Sequence, residues 1–146
     1  MKSLVIYDSV HGNTKTIAET IARDLGSDTK TISVLEFKPE YLKEVKLLVV
    51  GSPIIAWKPT VKMMDFLAAL KENQLEGFKA AVYDTRVELF IHGDAAGKIA
   101  VELTRAGAVI VTEPMGFKVK GKEGPLKKGE VERAAAWAGS LRSLVL

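Results

Sequence analysis

Cysteine is absent from the 146 residues, which excludes disulfide staples, thiolate nucleophiles, iron–sulfur clusters and cysteine-held zinc. Histidine is nearly absent: His11 and His92 stand far apart in the chain and give a metal site little to build on. Any redox chemistry must therefore be borrowed from a cofactor. Long hydrophobic runs are missing as well. The first apolar run, Leu4 to Tyr7, stops at Asp8, short of a signal-peptide core or a membrane span, so the expectation is a soluble cytoplasmic protein without a membrane partner. Nor does charge of one sign dominate. Lys+Arg 21 against Asp+Glu 18 leaves +3, a mildly basic balance that does not require nucleic acid. No tract rich in Pro, Gly or Ser divides the chain, and its length suits one domain over residues 1–146.

The familiar nucleotide loops are also lacking. There is no G-x-x-x-x-G-K-[ST], and no G-x-G-x-x-G even though Glu36 lies near the place of a ribose-binding acid. A phospho-acceptor receiver domain would carry paired acids after its first strand and an aspartate after its third, where this chain has Tyr7-Asp8 and Gly51-Ser52.

What is present is an alternation of strand and helix signals. Ser3 to Asp8 reads as a strand, and from Thr14 the residues Ile17, Ile21 and Leu25 recur at helical spacing up to Gly26. Thr29 to Leu35 is a second strand, Pro39 to Lys43 a helical turn or short helix, and Lys46 to Gly51 a third strand of continuous apolar character, as suits burial on both faces. Met63, Phe66, Leu67 and Leu70 mark a core-facing helix after Thr60, and Phe78 to Thr85 a fourth strand. A helix capped by Gly93 or Asp94 carries Ile99 and Leu103 inward and stops at Gly107. A fifth strand spans Ala108 to Thr112, and Glu130 to Leu144 forms the last helix, with Trp137 docked on the sheet. Gly116 to Gly129 is the one irregular stretch. Such alternation predicts right-handed crossovers and an α/β, doubly wound, five-stranded parallel sheet.

Ser9-Val10-His11-Gly12-Asn13-Thr14 falls where strand one feeds a helix, so the unpaired N–H groups of the helix start converge on one point that attracts anions. Gly12 permits close backbone approach, and Ser9, Asn13 and Thr14 are short donors; a phosphate monoester fits. This loop resembles the T/S-x-T-G-N-T phosphate loop of flavodoxins, and SLVIYDSVHGNTKTIAETIA as a whole looks like the start of short archaeal and bacterial members of that family. The resemblance extends over essentially the whole chain, including the DTR of strand four and GFKVKGKEGPLKKGE before the last helix.

The resemblance implies a flavodoxin-like strand order 2-1-3-4-5 and one FMN at the carboxyl edge, where the loop Ser52-Pro53-Ile54-Ile55-Ala56-Trp57 and the segment Asp84-Thr85-Arg86 join the phosphate loop. It implies that Trp57 stacks on the flavin ring and that Asp84, Thr85 and Arg86 meet its polar edge, although Asp84 and Arg86 also suit a pair with each other. His11 stands where the motif has Thr and offers an imidazole donor instead. No tyrosine follows Thr85, which leaves Phe90 as substitute or the outer face open. Relatives that strongly stabilise the one-electron-reduced flavin use a glycine in the strand-three loop; Ile54, Ile55 and Ala56 supply none, so weaker stabilisation is expected.

Three functions fit this reading. The first is an electron carrier that shuttles electrons between redox partner proteins, with no catalytic side chain and with Lys118, Lys120, Lys122, Lys127 and Lys128 available to an acidic partner. The second is an FMN-dependent oxidoreductase on the same scaffold, a quinone reductase or protoporphyrinogen-oxidase-like flavoprotein. The third is a binding module that keeps the fold without the flavin. His92 is expected to serve the surface or a helix cap.

Overall fold

A computed structural model describes residues 1–88 and 92–146. The strands are β1 (Ser3–Tyr7), β2 (Thr29–Ser33), β3 (Leu47–Pro53), β4 (Lys79–Val87), β5 (Val109–Ile110) and β6 (Met115–Val119). The helices are α1 (Asn13–Leu25), α2 (Val61–Ala69), α3 (Ala96–Arg105) and α4 (Glu130–Val145). Short 3-10 turns at Val34–Glu36 and Pro39–Leu42 lead from β2 to β3, where the sequence suggests the end of a strand and a helical turn.

All pairings between these strands are parallel, in the order β2-β1-β3-β4-β5, with β6 also against β4. The fifth strand expected over Ala108 to Thr112 is only the two-residue β5, which pairs with Lys79 and Ala80, and a sixth strand not expected from the sequence, β6, continues the same edge against Tyr83 to Val87. Pro114, which lacks an N–H, falls in the gap between them. Four residues of the stretch read as irregular, Gly116 to Val119, therefore belong to the sheet, and the rest begins as a hairpin: Lys120 N–H donates to the Pro125 carbonyl at 2.8 Å and Lys127 N–H to the Lys118 carbonyl at 2.9 Å.

Side chains alternate across the strands, so two cores form. Leu4, Ile6, Leu48, Val50, Ala80 and Val82 meet Met63, Leu67, Ile99 and Leu103 of α2 and α3 on one face. Val5, Leu47, Val49, Ala81 and Tyr83 meet Ile17, Ile21, Trp137 and Leu141 of α1 and α4 on the other. Each fully buried aliphatic side chain contributes roughly 1.5–3 kcal/mol. Arg105, in the last turn of α3, donates to the Leu67 and Leu70 carbonyls at 2.9 and 3.0 Å and so caps the carboxyl end of α2. Among the described residues, no helix is long and apolar enough to cross a membrane.

Candidate functional site

The switch point of the sheet lies at β1 and β3, and the loops leaving β1, β3 and β4 converge there. Asp8 joins the first two. Its buried carboxylate accepts the Ser9 N–H at 3.0 Å and the Thr60 hydroxyl at 2.5 Å. The Thr60 oxygen in turn accepts the Met63 N–H at 3.1 Å as the cap of α2, and Thr60 N–H donates to Ser52 Oγ at 3.2 Å. Ser52, whose own hydroxyl donates to the Pro53 carbonyl at 2.9 Å, is wholly buried and braces the loop from beneath.

Gly12 has φ 92°, and a Cβ there would meet nothing within 4 Å, so backbone conformation rather than space calls for glycine. Ser9 Oγ accepts the Gly12 and Lys15 N–H groups at 3.1 and 3.3 Å, which shapes the loop into the first turn of α1. Thr14 lines the cleft; its buried hydroxyl lies 2.8 Å from that of Thr85, and its carbonyl accepts the Tyr83 hydroxyl at 2.9 Å. Burial holds the Tyr83 phenol far above its ordinary pKa, with Tyr7 adding to the effect, so it remains a donor.

The β3 loop folds into a two-residue turn. Ile55 and Lys58 exchange N–H···O bonds of 2.8 and 3.2 Å, and the central residues Ala56 and Trp57 have φ of 50° and 73°. This is type I′-like geometry, ordinarily given to Asn-Gly, and each non-glycine residue costs about 1–2 kcal/mol in it. Contacts from α3 and the segment before it hold the turn: Asp94 N–H and Lys98 Nζ donate to the Trp57 carbonyl at 3.1 and 3.3 Å. Gly93 (φ 68°) lies so close that a Cβ would be 2.6 Å from Trp57 Cα. Trp57 remains 57% exposed and is among the residues that line the cleft.

Arg86 grips Asp84 through Nε (2.7 Å) and Nη2 (2.6 Å), the pairing foreseen as an alternative to flavin contact. Asp84 has no exposed surface and also accepts the Ala95 and Ala96 N–H groups at 3.2 and 2.9 Å, while Asp94 accepts Gly97 N–H at 2.9 Å. The two carboxylates thus accept three N–H groups at the start of α3. The bond to Asp84 raises the Arg86 pKa further, despite partial burial, and fixes its charge. Arg86 Nη1 lies 3.4 Å from both ring nitrogens of His92, whose Nδ1 is 2.7 Å from the Gly93 carbonyl and therefore carries the proton.

Between the loops is a cleft of about 550 Å³, within the usual range for ligand sites. Val10, His11, Asn13 and Thr14 line one part; Pro53, Ile54, Ile55, Ala56 and Trp57 another; Thr85 and Arg86 a third. Ser9, Gly12, Ser52 and Asp84 are not part of the lining: Ser52 and Asp84 are buried beneath the loops, and Ser9 and Gly12 shape the turn into α1. The cleft also takes Val87, His92, Val119 and Lys122, which the sequence reading left out. The alternation of Met115, Phe117 and Val119 with Gly116, Lys118 and Lys120 was a legible strand signal that would have brought Val119 to this edge. His92 gave no comparable signal. Phe90 lies outside the described residues. No aspartate or glutamate lines the cleft among the described residues, whereas His11, Arg86, His92 and Lys122 do. A polar, anion-accepting helix start at one side and an apolar turn bearing an indole at another fit a phosphorylated aromatic cofactor.

The fold has close counterparts among solved structures. Oxidised flavodoxin 1 from Bacillus cereus superposes with a TM-score of 0.81 at 20% identity, covering 98% of each chain. A flavodoxin from the domain Archaea gives 0.79 at 22% identity, covering 99% of each. Rubredoxin oxygen:oxidoreductase from Desulfovibrio gigas gives 0.80 at 18% identity, with 99% of this chain matching 36% of that longer one. No curated protein matches the chain in sequence. The family model described as flavodoxin matches residues 5–137, nearly the whole of the α/β sheet and its cleft, and the chain belongs to the flavodoxin family.

Proposed function

We propose that this protein is an electron carrier that holds FMN, the cofactor of flavodoxins, in the cleft at the carboxyl edge of the sheet. The observation that carries the reading is the convergence of the β1, β3 and β4 loops on one cleft that combines a helix start, an exposed indole and no acidic lining among the described residues. FMN, when bound, supplies the one- and two-electron chemistry, and the side chains do no acid/base or nucleophilic work.

The chain's own part is binding and electrostatic tuning. Val10, His11, Asn13 and Thr14 receive the phosphate at the start of α1, where the backbone N–H groups lack intrahelical partners. Because Thr14 and Thr85 share one hydrogen bond, one of the two hydroxyl protons is left to donate to the cofactor. Trp57 covers the ring from its rigid turn, and Arg86, whose charge is offset by Asp84, is held in place at the edge of the cleft. Lys118 and Lys127 share Glu88, leaving Lys120 and Lys128 as the basic groups of the hairpin region offered to an acidic redox partner.

Titrating purified apoprotein with FMN while following flavin and tryptophan fluorescence tests the site. One-to-one quenching in the wild type, weakened at least about tenfold in Trp57→Ala, is expected if indole stacking and its apolar area are lost together. A folded protein that leaves FMN fluorescence unchanged refutes the proposal.

A further inference from the structure

The geometry points to Lys122 as the residue that neutralises the phosphate of the bound flavin and so makes the site prefer a phosphorylated flavin to an unphosphorylated one. This inference rests on the FMN reading above. A phosphate monoester carries about −1.5 to −2 charge at neutral pH, and a helix start offers the equivalent of only about +0.5. The cleft-lining residues of the phosphate loop, Val10, His11, Asn13 and Thr14, include no permanently charged side chain. Lys15 follows them but is not part of the lining. Arg86 is engaged by Asp84.

The hairpin after β6 makes up the deficit. Asn13 Nδ2 donates to the Glu123 carbonyl at 3.2 Å, which sets residue 123 on the first residue of α1. Gly124 (φ 98°) seals the contact: a Cβ there would lie 2.6 Å from both Asn13 Nδ2 and Oδ1, so backbone and amide touch with no room for a side chain. Immediately before these two residues, Lys122 lines the same cleft as Asn13 and Thr14. The base of the hairpin is fixed by the Lys120–Pro125 and Lys127–Lys118 bonds and by Lys118 N–H donating to Glu130 at 2.7 Å. The nearby acid Glu88 takes Lys118 and Lys127. Lys122 is thus an ammonium on a flexible stem, mounted on an anchored hairpin beside the helix start where the phosphate sits.

The test compares FMN with riboflavin, which has the same ring and no phosphate, on wild type, Lys122→Met, Lys122→Arg and Lys120→Met, by fluorescence quenching at low and high salt. Lys122→Met is expected to weaken FMN binding about tenfold at low salt and riboflavin binding less than about twofold, and to flatten the salt dependence of FMN affinity. Lys122→Arg should restore most of the loss, and Lys120→Met, with the same change of net charge on the same hairpin, should move neither ligand. Equal weakening of both flavins would mean that the hairpin acts by shape, and an unchanged FMN affinity would mean that it does not act; either result overturns the inference while leaving FMN binding intact. A folded wild type that binds neither flavin overturns the FMN reading together with it.

Discussion

The hydroxyls of Thr14 and Thr85, 71 positions apart in sequence, meet 2.8 Å apart in a buried contact that joins the phosphate-loop helix to the end of β4. With the bond from the Tyr83 hydroxyl to the Thr14 carbonyl, this contact ties together two of the three loops of the cleft. Replacing either threonine with valine leaves the other hydroxyl buried without that partner, and each single change is expected to cost about 1–3 kcal/mol in urea unfolding. The double replacement should cost less than the sum, with a coupling of at least about 0.5 kcal/mol. Additive losses would show that the contact is incidental.

Gly51 faces the ring of Tyr83 across the β3–β4 register, and a Cβ at Gly51 would lie 2.1 Å from Tyr83 Cζ. The ring is wedged against Phe117 and Trp137 at centroid distances of 5.8 and 6.3 Å, so it has nowhere to retreat. Gly51→Ala should destabilise by more than about 3 kcal/mol, beyond ordinary overpacking. Tyr83→Phe, which only removes the bond to the Thr14 carbonyl, should cost about 1–2 kcal/mol. Thermal or chemical denaturation of the two variants checks the ranking.

Ala56 stands in the left-handed region, so Ala56→Gly should relieve strain and stabilise the protein by up to about 1 kcal/mol. An ordinary Ala→Gly change elsewhere has the opposite sign. A lower unfolding midpoint for this variant would contradict the turn geometry.

Breaking the Arg86–Asp84 pair from one side should be worse than removing it altogether. Arg86→Met leaves a buried carboxylate with only two backbone donors and is expected to cost about 3 kcal/mol or more. Arg86→Met with Asp84→Asn should recover part of that loss, as measured by a double-mutant cycle.

Glu130, at the start of α4, has its carboxyl held below the usual carboxylate range chiefly by the Arg133 guanidinium, with help from the Lys118 N–H and against the upward push of partial burial. Its pKa is lower folded than unfolded, so its contribution is complete above the unfolded value and is lost as pH falls through the folded one. The acid limb of a melting-temperature profile below about pH 4.3, the ordinary glutamate value, should therefore flatten in Glu130→Gln.

Much of the fold was written in local pattern. The apolar runs of β1 and β3, the helical spacing of Ile17, Ile21 and Leu25, and the Gly12 turn between them need only neighbours in sequence to be read, because periodicity and backbone preference are local properties. The split of the last strand was half legible, since Pro114 and the alternation of Met115, Phe117 and Val119 both announce it.

The site was legible as three loops but not as a surface. Sequence alone determined that the Ser9–Thr14 turn, the indole-bearing loop and the DTR segment follow the carboxyl ends of strands in an α/β chain, and the resemblance to flavodoxins implied the strand order that brings them to one edge of a parallel sheet. Tertiary structure decided which of those residues face the cleft and which support it. Asp84 and Ser52 turned away because buried polar atoms must find partners, and the partners were the Arg86 guanidinium with the α3 start in one case and the Thr60 N–H in the other. Ala56 and Trp57 adopt a turn that their own preferences oppose, held by Gly93, Asp94 and Lys98 from a segment more than thirty residues away. Lys122 entered the cleft for the same kind of reason: a hairpin remote in sequence found in Asn13 an amide to bind, and only the folded chain brings the two together.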